Sequence, residues 1–225
     1  MVYFMYLSWK VGILLKHRKN FHSIEHTGRD RKMFTVAGPI SADVLKEKSF
    51  DEGLQSFRKP EQQHKALIDV AGLEESRIIA AFDDDTVVGY AVYLYPDEME
   101  RWSQYRFEDL LELGAIEVSN DYRGHNLAKT ILKVSMMDDS VEDYIIITTE
   151  YYWHWDLRRT KLSIWEYRDV MEKVMNTGGL QWYATDDPEI SSHPANCLMA
   201  RIGKRVPTES IHEFDRVRFR NRYMI

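Results

Sequence analysis

The segment from Gly114 to Leu132 constrains the fold more than any other part of the chain. It begins with residues typical of a β-strand, passes through a tight turn at Arg123 and Gly124, and ends in a helical pattern from about Leu127. A strand that runs through such a turn into a helix leaves backbone N–H groups free at the helix N-terminus. The positive end of the helix dipole lies at the same point, so the segment predicts a binding site for phosphate groups.

The composition predicts one domain and argues against several classes of protein. The 225 residues are 44% hydrophobic, which is enough for a sizeable core. A net charge of −6, without a dense basic patch, argues against nucleic acid as a partner. The single cysteine, Cys197, excludes an intramolecular disulfide and a cysteine-rich metal site, and it is compatible with a reducing cytoplasm.

The N-terminus begins with an apolar run over residues 1–15, which basic residues follow at 16–19. A membrane-spanning helix needs about 20 apolar residues, and Lys10 interrupts this shorter run. A signal peptide would carry its positive charge before the run. We interpret residues 1–16 as an extension outside the domain, with a membrane-surface helix or a core-packed segment as alternatives.

The rest of the pattern predicts an α+β fold, in which helices cover both faces of a mixed sheet. Strands are expected at 32–40, 77–82, 86–95, 110–118, 144–152 and 180–185, the second and third of them as a hairpin. Helices are expected at 41–45, 60–70, 126–138, 164–176 and 209–218. Residues 17–190 are interpreted as the domain, and residues 191–225 as a C-terminal extension that packs on it.

The central strand and loop match a known signature. Glu112, Leu113, Ile116 and Val118 fit the strand pattern Glu-Leu-x-x-Ile-x-Val, and Arg123 and Ala128 fit the ends of the loop pattern Arg/Gln-x-x-Gly-x-Gly/Ala. The chain in this respect resembles the GNAT superfamily of acetyl-CoA-dependent N-acetyltransferases, which implies their fold. The middle glycine of the loop is Asn126 here, and asparagine tolerates positive φ better than other non-glycine residues, so we expect the loop to keep its shape.

Longer strings resemble one family within that superfamily. They lie at 68–73, 95–103, 134–138, 148–156 and 184–203, and the similarity extends from His17 to Tyr223. These strings are similar to the acetoin-utilisation acetyltransferases. The resemblance implies a cytoplasmic bacterial lysine acetyltransferase that uses acetyl-CoA and no metal. It also implies acetyl-CoA synthetase as the protein substrate, inactivated by acetylation of its active-site lysine.

The resemblance further implies where acetyl-CoA binds. Its pyrophosphate is expected on the backbone N–H groups of the loop, formed by Arg123, Gly124, His125, Asn126, Leu127, Ala128 and Lys129. In this superfamily the preceding strand splays from its neighbour, and a free N–H group polarises the thioester carbonyl. The corresponding donors lie in the stretch from Ile116 to Val118.

Acetyl transfer also requires a base, because only the neutral amine attacks. Glu112 lies where the superfamily often carries this glutamate; Glu117 is the second candidate, and either residue is alternatively a rim carboxylate in an ion pair. Strict alternation along the strand places Glu112 on the face of Ile116 and Glu117 on the opposite face. Many members protonate the departing thiolate with a tyrosine, for which Tyr152 is the first choice and Tyr151 and Tyr167 are alternatives.

Other features leave more than one function open. The aromatic run at 151–155 suits a protein-binding surface or a core. His154 has no second histidine or cysteine at a metal-ligand spacing, and no membrane partner is expected. Two competing hypotheses are an acetyltransferase for small-molecule amines and a regulator that docks on acetyl-CoA synthetase without turnover.

Overall fold

The structure is a computed structural model that describes residues 17–103 and 108–220. Its nine strands form one mixed sheet in the order β1-β2-β4-β5-β6-β7-β9-β8, with β3 beside β5. The strands are β1 (His22–Thr27), β2 (Met33–Gly38), β3 (Ser49–Phe50), β4 (Arg77–Asp83), β5 (Thr86–Leu94), β6 (Leu110–Val118), β7 (Ile145–Glu150), β8 (Gln181–Tyr183) and β9 (Cys197–Ile202).

Helices cover both faces of this sheet, which confirms the predicted α+β fold. They are α1 (Ala42–Glu47), α2 (Pro60–Ala71), α3 (Leu127–Ser135), α4 (Leu157–Thr160), α5 (Ile164–Met175), α6 (Pro188–Ser191) and α7 (Thr208–Arg218). Helices α3 and α5 bury one face of the sheet around Leu111, Ile131 and Ile146. The other face packs on α1 and α2 at one end, and on α6 and α7 at the other.

Local sequence signals explain where the helices begin. Ser41 Oγ accepts a hydrogen bond from Val44 N at the start of α1, and Pro60 occupies the first turn of α2. Ser163 and Glu166 form a reciprocal capping box at the start of α5. The capping box fixes the start of α5 at Ile164, and its later turns bury Met171 and Met175 against the core.

The sheet is larger than the sequence predicted. The edge strand β1 was not predicted, and it pairs with β2 from His22–Gly38 to Thr27–Met33. Strand β9 lies between β7 and β8, although its residues belong to the segment interpreted as an extension. The predicted strand at 144–152 ends at Glu150, and the predicted helix at 126–138 ends at Ser135. The interpretation of residues 1–16 lies outside the described residues.

In residues 17–103 and 108–220, no helix combines the length and the apolar character needed to cross a membrane.

Candidate active site

The two central strands separate halfway along their length. β6 pairs with β7 in parallel only over Leu110 to Glu112, and the last pair joins Glu112 to Ile147. Beyond it, β6 continues to Val118 while pairing only with β5. At the start of the gap, the hydroxyl of Thr148 donates a hydrogen bond of 3.2 Å to the carbonyl of Leu113. The edge of β6 that faces β7 is therefore unpaired at the position where the resemblance implied a splay.

A β-bulge at Gly114 reverses the alternation of side chains along β6. The register with β5 shifts there by one residue, so that Leu113 and Ala115 face consecutive residues of β5. Leu113 and Ile116 consequently both contact the core beneath α3. A single extra residue moves every following side chain to the other face of the sheet.

The bulge corrects the predicted faces of the two candidate bases. Glu112 is paired with Leu94 and Glu117 with Tyr90, and both partners contact the core on the side of α1 and α2. Glu112 and Glu117 therefore share one face of β6, and Ile116 lies on the other. The prediction that Glu112 and Ile116 share a face, with Glu117 opposite, was wrong because strict alternation does not account for Gly114.

Glu112 lies at the mouth of the gap with few partners. Its carboxylate accepts one long hydrogen bond, from Thr149 Oγ1 at 3.5 Å. Burial of the carboxyl group, and then the negative charges of Glu100 and Asp97, raise the pKa of Glu112 to about 7, although the bond from Thr149 opposes this shift. A carboxylate that exchanges a proton near neutral pH has the acid–base properties that a general base requires.

Glu117, in contrast, is held by two strong donors. It is buried, with 6% of its surface exposed. Ser56 N donates to one carboxylate oxygen at 2.8 Å, and the hydroxyl of Tyr90 donates to the other at 2.8 Å. Both oxygens are thus used to tie β6 to β5 and to the segment before α2, which favours a structural role.

The loop after β6 has the predicted strand–turn–helix geometry. Gly124 has φ of 89°, and Asn126 adopts the left-handed conformation with φ of 61° before α3 begins at Leu127. The expectation that asparagine keeps the loop shape is confirmed. Within the described chain, no side chain caps α3, and no acceptor bonds the N–H groups from Gly124 to Lys129. These donors, together with the helix dipole, fit the diphosphate of acetyl-CoA.

Neighbouring elements hold the loop from outside. The Nδ1 atom of His125 accepts a hydrogen bond from Arg29 N at 3.0 Å, and its carbonyl lies 2.6 Å from the Nε2 atom of His26. His125 is therefore engaged with the β1–β2 hairpin, and only its backbone N–H faces no partner. On the other side, Arg123 forms an ion pair of 3.0 Å with Asp156, which follows β7. Arg123 thus links the two sides of the gap.

The candidate tyrosines occupy different positions. Tyr152 follows β7, and its ring lies 4.2 Å from the ring of His193. Its backbone N–H donates to Asn196 Oδ1 at 3.1 Å, so the residue is packed against the C-terminal segment. Tyr167 belongs to α5 and stacks on Trp155 at 5.3 Å. Burial raises the pKa of the Tyr167 hydroxyl.

Sequence reasoning missed Glu150, the last residue of β7. The Nε1 atom of Trp155 donates a hydrogen bond of 3.2 Å to its carboxylate. Burial raises the pKa of Glu150 to about 7, more than the hydrogen bond from Trp155 lowers it. The available signal was a carboxylate at the end of an otherwise apolar central strand, where burial is expected.

Several acidic groups influence one another on the Glu112 face. Burial, and then Asp97, Glu189 and Asp187, raise the pKa of Glu100. Glu100 in turn contributes to the raised pKa of Glu112. This field of negative charge favours a cation in the vicinity. In the described ranges, no three His, Cys, Asp or Glu side chains converge as ligands for a metal ion.

Comparisons with known proteins agree with this geometry. The model of the acetyltransferase (GNAT) family matches residues 44–138. Acetoin utilization protein AcuA of Bacillus subtilis (strain 168) is 58% identical over 210 residues, which are 93% of this chain and 100% of that protein. The AcuA protein of Bacillus licheniformis matches to the same extent.

Solved structures give the same result for the fold. The crystal structure of an acetoin utilization protein from Exiguobacterium sibiricum 255-15 has a TM-score of 0.89 at 49% identity, over 92% of this chain and 98% of that one. The GNAT domain of S. lividans PAT has a TM-score of 0.51 at 13% identity, over 80% and 96%, and supports the fold alone. The chain therefore belongs to the AcuA family of GNAT N-acetyltransferases, a superfamily whose acyl donor is acetyl-CoA.

Proposed function

We propose that this enzyme transfers the acetyl group of acetyl-CoA to the active-site lysine of acetyl-CoA synthetase and thereby inactivates it. The reaction would take place in the cytoplasm and serve acetoin and acetate metabolism, and the names of the relatives support the role in acetoin utilisation. One observation carries the proposal. The carboxyl group of Glu112, whose pKa is raised to about 7, lies at the mouth of the gap between β6 and β7.

The donor side of the proposed site is the loop and the unpaired edge of β6. The free N–H groups from Gly124 to Lys129 would hold the diphosphate. The stretch from Ile116 to Val118 would direct backbone donors at the thioester carbonyl. Arg123 belongs to the same loop, and its positive charge would also attract the diphosphate. For this, its guanidinium group would have to bind the diphosphate in addition to Asp156 or in place of it. The donor would thus enter on the face of α3 and extend into the gap.

The acceptor side is the opposite face, where Glu112 lies. A lysine side chain arrives as an ammonium ion, which the negative charge of Glu100 attracts, whereas Asp187 is already paired with Arg101 at 3.1 Å. Glu112 would remove one proton, directly or through a water molecule, because the ammonium ion has no lone pair for attack. The same carboxylate would receive the second amine proton after the carbon–nitrogen bond has formed.

An exposed aromatic cluster supports a second candidate function, docking without turnover. Trp153 is 45% exposed and stacks on Tyr151 with a ring distance of 4.8 Å. Trp165 is 53% exposed beside His193. Exposed aromatic residues are frequent anchors in protein interfaces. Such a surface suits a folded protein better than a small amine, and binding alone would suffice to block a partner.

One experiment separates these functions. Purified acetyl-CoA synthetase is mixed with the enzyme and acetyl-CoA, and acetylated lysines are mapped by mass spectrometry while synthetase activity is followed. The proposal predicts acetylation of one active-site lysine and a parallel loss of activity. A synthetase with arginine at that lysine is the matched control, and free amines replace the synthetase in a parallel assay.

Two other outcomes of this experiment would favour the competing functions. Loss of synthetase activity without an acetyl adduct, and independent of acetyl-CoA, would contradict the enzymatic proposal and support the docking function. Comparable acetylation of free amines, without modification of the synthetase, would support a small-molecule acetyltransferase.

A further inference from the structure

Glu150 lies across the gap from the stretch of β6 that is expected to hold the thioester. The parallel register ends at the pair Glu112–Ile147. If this register is extended along both strands and the bulged residue Gly114 is left out of the count, Ile116 lies opposite Glu150. The two strands no longer bond there, so the space between these residues is the inner part of the gap.

Glu150 and Glu112 are on opposite faces of the sheet. Glu112 shares its face with Thr149, which donates to it. Thr148 and Glu150 alternate with Thr149, so they point to the side of α3 and α5. The partner of Glu150 on β9 is Cys197, which belongs to the core on that side. One gap is therefore flanked by a carboxyl group on each face.

The surroundings of Glu150 favour its neutral form. The donor that bonds its carboxylate, Trp155 Nε1, is uncharged. No lysine or arginine of residues 17–103 and 108–220 forms an ion pair with it. The titratable groups that face it are Cys197 on β9 and Tyr167 on α5, which are themselves affected by its charge. Burial raises the pKa of Glu150 to about 7, so the group carries a proton in a large fraction of molecules near neutral pH.

The tyrosines are less suited to donate a proton at this position. Tyr152 packs against His193 at 4.2 Å, beyond the end of the strand. Burial raises the pKa of Tyr167 above its ordinary value, which makes its hydroxyl a weaker acid. Tyr167 stacks on Trp155, whose indole N–H is bonded to Glu150. The aromatic pair therefore orients the carboxyl group of Glu150.

We propose that Glu150 is the acid of the reaction, which delivers a proton to the sulfur atom of the departing thiolate. The carbon–nitrogen bond forms as the amine attacks, and the carbon–sulfur bond then breaks with its electron pair on sulfur. Glu150 donates its proton to that sulfur and regains one from solvent. Glu112 collects two protons from the amine nitrogen in succession and releases them to solvent, so one proton is produced in each turnover.

This inference depends on the acetyl transfer in the proposed function and not on which amine accepts. The first test uses Glu150→Gln, which keeps the size of the side chain and an acceptor for Trp155. An ordinary thiol has a pKa of about 8.5, so its thiolate is a poor leaving group that an acid assists by protonating the sulfur atom. An aryl thiolate is a better leaving group and departs without this assistance. With acetyl-CoA, we expect the turnover rate of the variant to fall by about 10²-fold. With an S-aryl thioacetate as donor, we expect most of this loss to disappear.

Glu112→Gln is the matched control, because a better leaving group does not replace a missing base. The turnover rate of this variant should be low with acetyl-CoA and with the S-aryl thioacetate. A loss in Glu150→Gln that is equal for both donors would show that Glu150 only supports the structure and would overturn the inference. An unchanged rate with acetyl-CoA would overturn it as well.

The second test does not use activity. Infrared difference spectra between the wild-type protein and Glu150→Gln should show the carbonyl band of a protonated carboxyl group at pH 6 and its loss at pH 8. Trp155→Phe removes a bond that favours the anion, so this transition should move to higher pH. The absence of a protonated band at pH 6 would exclude Glu150 as the acid. If the synthetase is not acetylated, the proposal that it is the substrate is wrong. The infrared spectra, and the rate assays with free amines as acceptors, still test the role of Glu150.

Discussion

Glu112 and Glu117 lie on the same face of one strand, five positions apart, but their hydrogen-bond donors and neighbouring charges differ. Glu117 accepts short hydrogen bonds from Ser56 and Tyr90. Glu112 accepts one long bond from Thr149 and lies near other acids. Burial alone does not distinguish the two groups, because Glu117 is the more buried residue. Glu112 therefore has little hydrogen bonding to oppose burial and the charges of Glu100 and Asp97, which raise its pKa.

Asp138 extends the comparison to a carboxylate with a cationic partner. It is 2% exposed and pairs with Arg77 at 2.6 Å. Burial would raise the pKa of Asp138, but hydrogen bonds from Asn20 and Ser140 lower it to about 2. A buried carboxylate with several donors is thus held ionised, whereas Glu112 is not.

The largest expected effect is that of Glu112→Gln. Loss of the base should reduce kcat/KM by about 10²–10⁴-fold. In the wild-type enzyme, kcat/KM should have an acid limb with a pKa of about 7, because Glu112 must lose its proton to act, and a basic limb at a similar pH, because Glu150 must keep its own. This acid limb should be absent in the variant. Initial rates between pH 5.5 and 9 (roughly the range over which such a group titrates) measure both effects, and a variant that keeps the rate and the limb would exclude Glu112.

Glu117→Ala should affect stability instead. It leaves the hydroxyl of Tyr90 buried without its acceptor and removes the bond to the N–H of the exposed residue Ser56, and we expect a loss of roughly 2 kcal/mol in the free energy of unfolding. Urea denaturation measures this loss, with Tyr90→Phe as a control that removes one bond and costs about 1 kcal/mol. The acid limb of kcat/KM should stay in place. A shift of that limb in folded Glu117→Ala would mean that Glu117 takes part in proton transfer.

Asp138 should make the protein sensitive to acid. Its pKa is lower in the folded state than the ordinary 3.8, so its contribution is complete above about pH 4 and is lost as the pH falls toward 2. The contribution amounts to about 2 kcal/mol. The free energy of unfolding of Asp138→Asn should therefore differ from that of the wild type by an amount that shrinks at low pH. A difference that is independent of pH would contradict the shifted pKa.

The smallest effects are expected in the loop, which in the proposed mechanism binds acetyl-CoA and not the amine. Asn126 has φ of 61°, a conformation that costs alanine about 1 kcal/mol or more and costs glycine little. Asn126→Ala should raise KM for acetyl-CoA by a few-fold, whereas Asn126→Gly should leave it nearly unchanged. Neither should move the acid limb. An equal rise of KM in both variants would indicate that the asparagine side chain itself contacts the donor.

Much of the fold was predictable because its central elements follow simple patterns. Strand β6 has the predicted bounds, and the hairpin of β4 and β5 was expected from two β-branched and aromatic runs joined by acidic residues. Strand β1 lacked such a pattern. Its sequence His-Ser-Ile-Glu-His-Thr is mostly polar, as suits an edge strand whose residues are alternately exposed.

The site was less predictable, because long-range pairing determines it. The bulge at Gly114 follows from how β6 fits between β5 and β7, and no local pattern distinguishes it from an ordinary glycine in a strand. The bulge places Glu112 and Glu117 on one face. The neighbours of Glu150 come from segments after β7 and from β9, so its environment becomes visible only when those elements pack together.

The titration of Glu112 itself tests the central claim most directly. Carbon NMR of protein labelled at the glutamate carboxyl groups follows each side chain with pH, and Glu112→Gln identifies the signal by its loss. As a base tuned by its surroundings, Glu112 should titrate with a pKa of about 7. A value near the ordinary one of about 4.3 would contradict its role as a base tuned by burial and neighbouring acids.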